Sequence, residues 1–357
     1  MKPLVEPASE LTSDERRRYA RQLLLPAIGE EGQLRLKAAR VLLVGAGGLG
    51  SPALLYLAAA GVGTIGVIDD DVVDETNLHR QVVHGTADVG RPKVDSAADA
   101  VARANPLITV IKHNERLCPG NAEHLFAAYD LVVDGSDNFT TRYLVNDACV
   151  LTGRPWVWGA VLRFEGQVAV FWPGHGPVYR DLFPEPPAPG TVPSCNEAGV
   201  LGAVCAAIGA AMATETVKLI TGAGRSLLGR VLIHDALAMT WCTLHLSQDP
   251  QREPVTTIAA LPEIDAAQLA RELQDGEIAL VDVREPTEHA QHAIPGAQLI
   301  PLTKVLADPG RFDHSVRLVL HCAGGTRSAE ALRAVLAAGH PDAVHLQGGI
   351  AAWDRLN

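Results

Sequence analysis

No two of the six cysteines (Cys118, Cys149, Cys195, Cys205, Cys242 and Cys322) stand as a C-x-x-C pair, so no structural zinc site is visible. Their irregular scatter also gives no disulfide framework, and reduced thiols in the cytoplasm are expected. Basic charge is short: the net charge is -11, which argues against nucleic acid as a partner, because binding a phosphate backbone needs clustered Lys and Arg. No N-terminal stretch joins a basic start to an apolar core, so no signal peptide is expected. The most apolar window, 199–213, is too short to span a bilayer and runs into Glu215 and Lys218; it reads as a buried helix, with no membrane partner. Internal repeats are lacking too.

What is present fits a soluble two-domain enzyme of 357 residues, 47% apolar and 20% charged. Two loops carry the chemistry. Val44-Gly45-Ala46-Gly47-Gly48-Leu49-Gly50 closes an apolar strand and opens a small-residue helix. His321-Cys322-Ala323-Gly324-Gly325-Thr326-Arg327-Ser328 does the same with a cysteine at the turn. The first suits a nucleotide, the second an anion carried on sulfur.

From 39 to about 172 the pattern alternates, with strands expected at 40–44, 64–68, 131–134 and 156–161 and helices at 52–60 and 94–104. Such alternation implies an α/β fold, a mostly parallel Rossmann-like sheet with helices on both faces. Ahead of it, 13–25 reads as one helix with Ser13 as N-cap and Arg16, Arg17, Arg18 and Arg21 along it. Residues 173–193, rich in proline and glycine, read as a long loop. Strands at 230–233 and 240–246 follow, antiparallel to each other. We expect a first domain at 1–247, a linker at 248–260 and a smaller α/β domain at 261–357. The latter has strands at 278–283, 317–321 and 343–346 and helices at 265–273, 328–338 and 350–356.

The glycine loop lets the backbone approach a phosphate, and the helix behind it offers unpaired N–H groups and a positive dipole end. Asp69, at the end of the second strand, suits a ribose hydroxyl whether the ligand is ATP or a dinucleotide. A triphosphate under attack needs cations around the leaving pyrophosphate and a carboxylate for magnesium. Arg80, Lys93 and Arg21 can supply the first and Asp137 the second. Taken singly, Arg80 and Lys93 also read as solvated loop charges, and Asp137 as a turn residue or N-cap. Together they sit at the strand ends of one sheet edge, where open α/β sheets bind ligands.

These residues carry a resemblance. Residues 19–246 resemble the ThiF-type adenylyltransferases that activate ubiquitin-like sulfur-carrier proteins, cousins of ubiquitin-activating enzymes. The matching stretches are Arg18-Tyr19-Ala20-Arg21-Gln22, the glycine loop, Asp69 to Asp71, Asn77 to Gln81, Lys93, Asp134 to Asn138 and Arg163 to Gln167. The resemblance implies that a carrier's C-terminal glycine carboxylate attacks the α-phosphate of ATP. It places ATP on Gly45, Gly47, Gly48, Asp69, Asn77, Arg80, Gln81, Lys93 and Asn138, and magnesium on Asp137. Arg21 would reach the neighbouring subunit's site, which implies a homodimer. Many members of the family carry two zinc-binding C-x-x-C pairs. Here Val178 and Asp181 hold the first pair's positions and no second pair follows Leu246. No zinc is expected, as in the zinc-free actinobacterial-type fusion enzymes that the stretch Tyr179 to Pro187 most resembles.

At the second loop, backbone N–H groups converging on a helix end favour a thiolate at Cys322 and cradle an anion bound to it, while Arg327 adds charge and paired donors. Cys322 reads alternatively as a structural cysteine or as a phosphatase nucleophile. With four residues between Cys322 and Arg327, the loop is one shorter than a phosphatase loop, which favours a smaller anion such as a persulfide. Residues 261–357 also resemble rhodanese sulfurtransferases, on Asp282-Val283-Arg284-Glu285, His292 to Ala297, Gly348-Gly349 and Trp353.

Cys195, in Pro193-Ser194-Cys195-Asn196-Glu197, matches the cysteine with which some family members hold the carrier as a thioester or mixed disulfide; a small apolar residue closing the loop is the equal alternative. Cys118, Cys149, Cys205 and Cys242 read as structural. His321 adjoins Cys322, but neighbours on a strand face opposite ways, so it is not assigned as a base.

The expectation is an enzyme that adenylates a sulfur carrier ending in Gly-Gly and converts it to a thiocarboxylate with a Cys322 persulfide. The sulfur would come from thiosulfate or a cysteine desulfurase. Two rivals remain: a sulfurtransferase whose inactive nucleotide domain only binds the carrier, and a nicotinamide oxidoreductase with a fused redox-cysteine domain.

Overall fold

The computed structural model describes residues 1–187, 198–258, 261–276 and 278–356. They form two compact units, 1–186 with 198–258, and 261–356.

The first unit opens with α1 (Ser13–Arg18) and α2 (Ala20–Leu23) rather than one helix. Thr12, not Ser13, is the N-cap: its hydroxyl accepts the Glu15 N–H while Glu15 reaches back to the Thr12 N–H. The break falls at Tyr19, whose buried ring carries its hydroxyl inward to the Asn105 amide at 2.9 Å. α3 (Gly29–Ala38) leads into β1 (Arg40–Val44), α4 (Gly50–Ala60), β2 (Thr64–Ile68), α5 (Lys93–Ala104), β3 (Thr109–His113), α6 (Pro119–Ala127), β4 (Leu131–Asp134) and α7 (Phe139–Thr152). Then come β5 (Trp156–Leu162), β6 (Glu165–Phe171), α8 (Tyr179–Leu182), α9 (Gly202–Thr221), β7 (Arg230–Asp235) and β8 (Thr240–His245).

One eight-stranded sheet runs in the order β3-β2-β1-β4-β5-β6-β7-β8. It is parallel as far as β5 and antiparallel beyond. Alternate side chains fill two cores: Val41 and Leu43 of β1 join one, Leu42 and Val44 the other. The chain leaves β1 toward β2 and β3, then returns to β4 on the opposite side. That reversal opens a crevice beyond the carboxyl ends of β1 and β4.

α9 is long and apolar enough to cross a membrane by length and composition, yet it packs in the core against α4, β5 and β6. Its buried Glu215 is paired inside with Lys218 and with the Leu227 N–H. The long 173–193 stretch is not wholly loop, since α8 forms within it. There the Tyr179 N–H binds Asn146 Oδ1 at 3.0 Å and Arg180 forks onto Asp147 at 2.8 and 2.7 Å.

The second unit holds β9 (Glu263–Ile264), α10 (Ala266–Asp275), β10 (Ile278–Asp282), α11 (Pro286–Gln291), β11 (Gln298–Leu299), α12 (Leu302–Ala307), β12 (Arg317–His321), α13 (Thr326–Ala337), β13 (Val344–Leu346) and α14 (Gly349–Leu356). Its five strands are all parallel, in the order β11-β10-β12-β13-β9. Cys322 follows the central β12, next to the reversal between β10 and β12.

Candidate functional site

In the first unit the glycine loop fills the turn from β1 to α4. Gly50 must be glycine: a Cβ there would lie 1.9 Å from the Gly45 carbonyl oxygen. Asp69, just past β2, fastens the loop, its Oδ2 accepting the Ala46 N–H at 2.8 Å and its Oδ1 the Asp71 N–H at 2.9 Å. Burial pushes the Asp69 carboxyl up; the Lys93 charge and the two backbone donors pull against it.

Lys93 opens α5 and is 6% exposed, with Nζ 2.8 Å from Asp71 Oδ2. Burial opposes its charge, but Asp69, Asp71 and Asp137 together outweigh that and raise its affinity for a proton. Asp137, after β4, is exposed and within electrostatic reach of Lys93. Asn138 N-caps α7 through the Thr141 N–H at 2.8 Å, which commits its side-chain oxygen to the helix.

Asn77 Oδ1 receives Arg80 Nη2 at 2.8 Å and Gln81 Nε2 at 3.1 Å. That fan lies on the glycine loop: a Cβ at Gly48 would sit 3.4 Å from Arg80 Cγ, and one at Gly47 3.7 Å from Gln81 Nε2. The buried Gln81 Oε1 has no protein partner. Arg21 is different. It is exposed on α2, whose Gln22 binds the Ala60 carbonyl at the far end of α4 from the loop. An 11-residue helix spans about 16 Å, so within one chain Arg21 stands well away from this crevice.

Two groups here were not foreseen. His84 bridges the loop to α5, with Nε2 3.1 Å from the Ala46 carbonyl oxygen and Nδ1 2.8 Å from Ser96 Oγ, and burial pushes it toward the neutral form. Arg142 is buried over Phe139 and Trp158 and donates to the Ser136 carbonyl. A lone histidine or arginine in sequence signals neither bond. Asp134 is fully buried, which raises its carboxyl to about 6 against the Ser136 N–H bond.

The crevice thus offers backbone donors, a cation on either side and carboxylates that suit a hard divalent ion. Asp137 is one such group; Asp69, Asp70 and Asp71 have oxygens within 4.8 Å of one another, though Lys93 already pairs with Asp71.

At the corresponding position of the second unit, Cys322 is buried at 1% exposure. Gly325 adopts φ +96 and so turns its N–H onto Cys322 Sγ at 3.1 Å. The start of the loop is tied to α14: Ile350 N–H binds the Cys322 carbonyl at 2.8 Å and Ala351 N–H the Ala323 carbonyl at 3.2 Å. Arg327 is held by Glu288, a partner the sequence did not reveal, and that hydrogen bonding raises its hold on its proton despite burial.

His321 is wholly buried, its ring nitrogens without hydrogen-bond partners, and burial lowers it to about 4. Asp282 is also buried, but Arg284, His289 and His321 outweigh the burial and hold it at about 2. This cluster sits at the carboxyl end of β10 and within electrostatic reach of Arg327. Cys195 lies outside the described residues. Cys149 and Cys205 are buried and Cys118 half-buried, whereas Cys242 is exposed on β8 and does not pack as a structural cysteine would.

Val178 and Asp181, at the positions of the first zinc-binding pair of related enzymes, are hydrogen-bonded to each other. Asp181 Oδ2 accepts the Val178 N–H at 2.7 Å, and its Oδ1 accepts Arg252 Nε at 2.9 Å and the Asp249 N–H at 3.1 Å.

Residues 19–255 match the ThiF family and residues 265–356 the rhodanese-like domain. A Mycobacterium tuberculosis protein named probable adenylyltransferase/sulfurtransferase MoeZ is 54% identical over 375 residues, covering 98% of this chain and 96% of that protein. A sulfur carrier protein adenylyltransferase of Thermus thermophilus is 51% identical over 245 residues, 67% of this chain and 90% of that one. The crystal structure of E. coli MccB with MccA-N7isoASN shares the fold at a TM-score of 0.61 and 21% identity, over 69% of this chain and 75% of that chain.

Proposed function

This chain belongs to the ThiF family and carries a rhodanese-like domain behind it, and on that premise we propose that it adenylates a sulfur carrier and then gives it sulfur. It is an ATP-using adenylyltransferase and sulfurtransferase, and its partner is a ubiquitin-like sulfur-carrier protein. The observation that carries the reading is the convergence of Asp69, Arg80, Gln81 and Lys93 on one glycine loop at the sheet's reversal.

In the first step the carrier's terminal carboxylate oxygen bonds to the α-phosphorus of ATP, and pyrophosphate leaves as the acyl-adenylate forms. The loop N–H groups and the α4 dipole hold phosphate oxygens. Asp69, already pinned to the loop, receives the ribose. Asn77 orients Arg80 and Gln81 toward the phosphates, and Lys93, drawn in by Asp71, offsets charge on the departing pyrophosphate. Magnesium, held by Asp137 with Asn138 beside it, would neutralise phosphate charge. Arg21, remote from its own crevice, serves a second subunit in a homodimer.

In the second step the outer sulfur of a Cys322 persulfide attacks the acyl carbonyl and AMP leaves. Two electrons from a thiol reductant then cleave the S–S bond, releasing the thiocarboxylate and the Cys322 thiol. Gly325 N–H and Arg327 stabilise the anionic sulfur. Cys195 captures the carrier before that transfer in the variant route through a thioester. Thiosulfate or a cysteine desulfurase loads Cys322. The chain works in the cytoplasm and needs no zinc, with Val178 and Asp181 joined at the positions of the family's first zinc-binding pair.

The test is intact-mass spectrometry of candidate Gly-Gly carriers incubated with ATP, magnesium, thiosulfate and the protein, beside a Cys322→Ala control. Replacement of oxygen by sulfur at the carrier terminus, lost in the control, supports both steps. No change with any carrier defeats the reading in favour of a nucleotide domain that only binds carriers.

A further inference from the structure

Ser328 is buried at 0% exposure on the first turn of α13, and its one hydroxyl hydrogen has three acceptors in reach. They are the Gly325 carbonyl oxygen at 3.1 Å, His345 Nδ1 at 3.3 Å and Cys322 Sγ at 3.6 Å. Which one receives it depends on the imidazole. If Nδ1 is bare it competes for that hydrogen. If Nδ1 carries a proton it donates to Ser328 Oγ, and the hydroxyl hydrogen is left for the carbonyl or the sulfur. An anionic sulfur, thiolate or persulfide, is the stronger acceptor and has no hydrogen of its own to give.

A carboxylate lies on the far side of the ring. His345, on β13, is in register with Glu263 of β9, and its Nε2 lies 3.2 Å from Glu263 Oε1, ion-pair distance though off the line of a hydrogen bond. Its other register neighbour, on β12, is the apolar Leu320. Among the described residues, Glu263 lies on one side of the ring and Ser328 on the other, with Cys322 beyond the hydroxyl. The side chain is 6% exposed, so the imidazole has little water to turn to.

We infer that His345, backed by Glu263, is a positioning residue that turns the Ser328 hydroxyl onto the Cys322 sulfur and so supports its anionic form beside the Gly325 N–H. This rests on reading Cys322 as the sulfur carrier of the second step.

Iodoacetamide alkylation of Cys322 in the full-length protein, followed by peptide mass spectrometry near neutrality and at about pH 10, tests it without ATP, carrier or sulfur donor. A negative result here is therefore separable from failure of the thiocarboxylate assay. Ser328→Ala and His345→Ala should each slow alkylation about tenfold near neutrality and leave the alkaline rate unchanged, the signature of ionisation rather than access. The double variant should be no slower than Ser328→Ala alone. His345→Asn, whose amide N–H can replace Nδ1–H, should recover most of the rate, and Glu263→Gln should slow it about threefold. Thermal melting verifies folding; if His345→Ala does not fold, Glu263→Gln and His345→Asn in the wild-type and Ser328→Ala backgrounds carry the same comparison. An unchanged neutral rate in the His345 and Glu263 variants, or losses fully additive with Ser328→Ala, would overturn the inference.

Discussion

Glu288 holds Arg327 with both carboxylate oxygens, Oε2 on Nη1 at 2.6 Å and Oε1 on Nη2 at 2.7 Å. The guanidinium that the cysteine loop presents is therefore aimed from outside the loop, by α11. Each side chain is about one-third exposed, 32% and 34%, so solvent screens the pair and its contribution is about 1 kcal/mol. Glu288→Ala should slow persulfide formation at Cys322 about fivefold with thiosulfate as test donor, and Arg327→Ala about a hundredfold. Cyanide discharge of the loaded sulfur measures both, and ATP–pyrophosphate exchange should be unaffected. Equal losses in the two variants would mean that Glu288 does more than aim the arginine.

Lys93 is a buried cation of the nucleotide crevice, balanced by Asp69, Asp71 and Asp137. Lys93→Met removes the charge that offsets the departing pyrophosphate and should lower carrier-dependent ATP–pyrophosphate exchange at least about a hundredfold. It also takes away the strongest influence opposing the rise of the Asp69 carboxyl, so residual exchange should fail at a higher pH than in the wild type. A pH profile of exchange, wild type against Lys93→Met, reads both effects; an unshifted acid limb would mean that Asp69 need not be ionised.

How much of this was legible in sequence follows from where each signal resides. β1, β2 and β4 are short apolar runs buried on both faces, and their limits matched the residues expected. β3, Thr-Val-Ile-Lys-His, escaped because it is an edge strand with polar residues at both ends. α11 and α12 escaped because six residues carry too little period. The helix expected at 13–25 broke because Tyr19 is pulled inward by Asn105, 86 residues away in sequence. The sites divide the same way. Glycines followed by cations at strand ends mark the crevice locally, whereas His84 with Ser96, Glu288 with Arg327 and Ser328 with His345 are partnerships made only when the chain folds.

Two buried groups should give the units opposite pH responses. Asp134 is raised from 3.8 to about 6 by burial, so the folded state binds its proton more tightly than the unfolded chain does. Stability from that group is present below the unfolded value and lost as pH rises through about 6, at most about 3 kcal/mol. His321 is lowered from 6.5 to about 4, so its contribution is present above 6.5 and lost as pH falls through about 4, again at most about 3 kcal/mol. Asp134→Asn should therefore raise urea resistance at about pH 8 and not at about pH 3, while His321→Gln should flatten the acid-side loss. Urea titrations across this range decide it; a stabilisation by Asp134→Asn that persists in acid would assign the effect to packing instead.

Asp181 links three parts of the first unit. Its side chain is 0% exposed and accepts the Val178 N–H at the head of α8, the Asp249 N–H and the Arg252 guanidinium, 71 residues further along. A buried carboxylate with these donors holds the segment after β8 against α8, and removing it leaves Arg252, 22% exposed, without its counter-charge. Asp181→Ala should cost about 3 kcal/mol, seen as a lower melting temperature, and Arg252→Ala should add little to it because the two act as one unit. A strong chelator should leave the wild-type melting temperature unchanged, and elemental analysis should find no stoichiometric zinc. If the chelator instead lowers the melting temperature, a metal shares the work assigned to this ion pair, and cysteines outside the expected positions must supply its ligands.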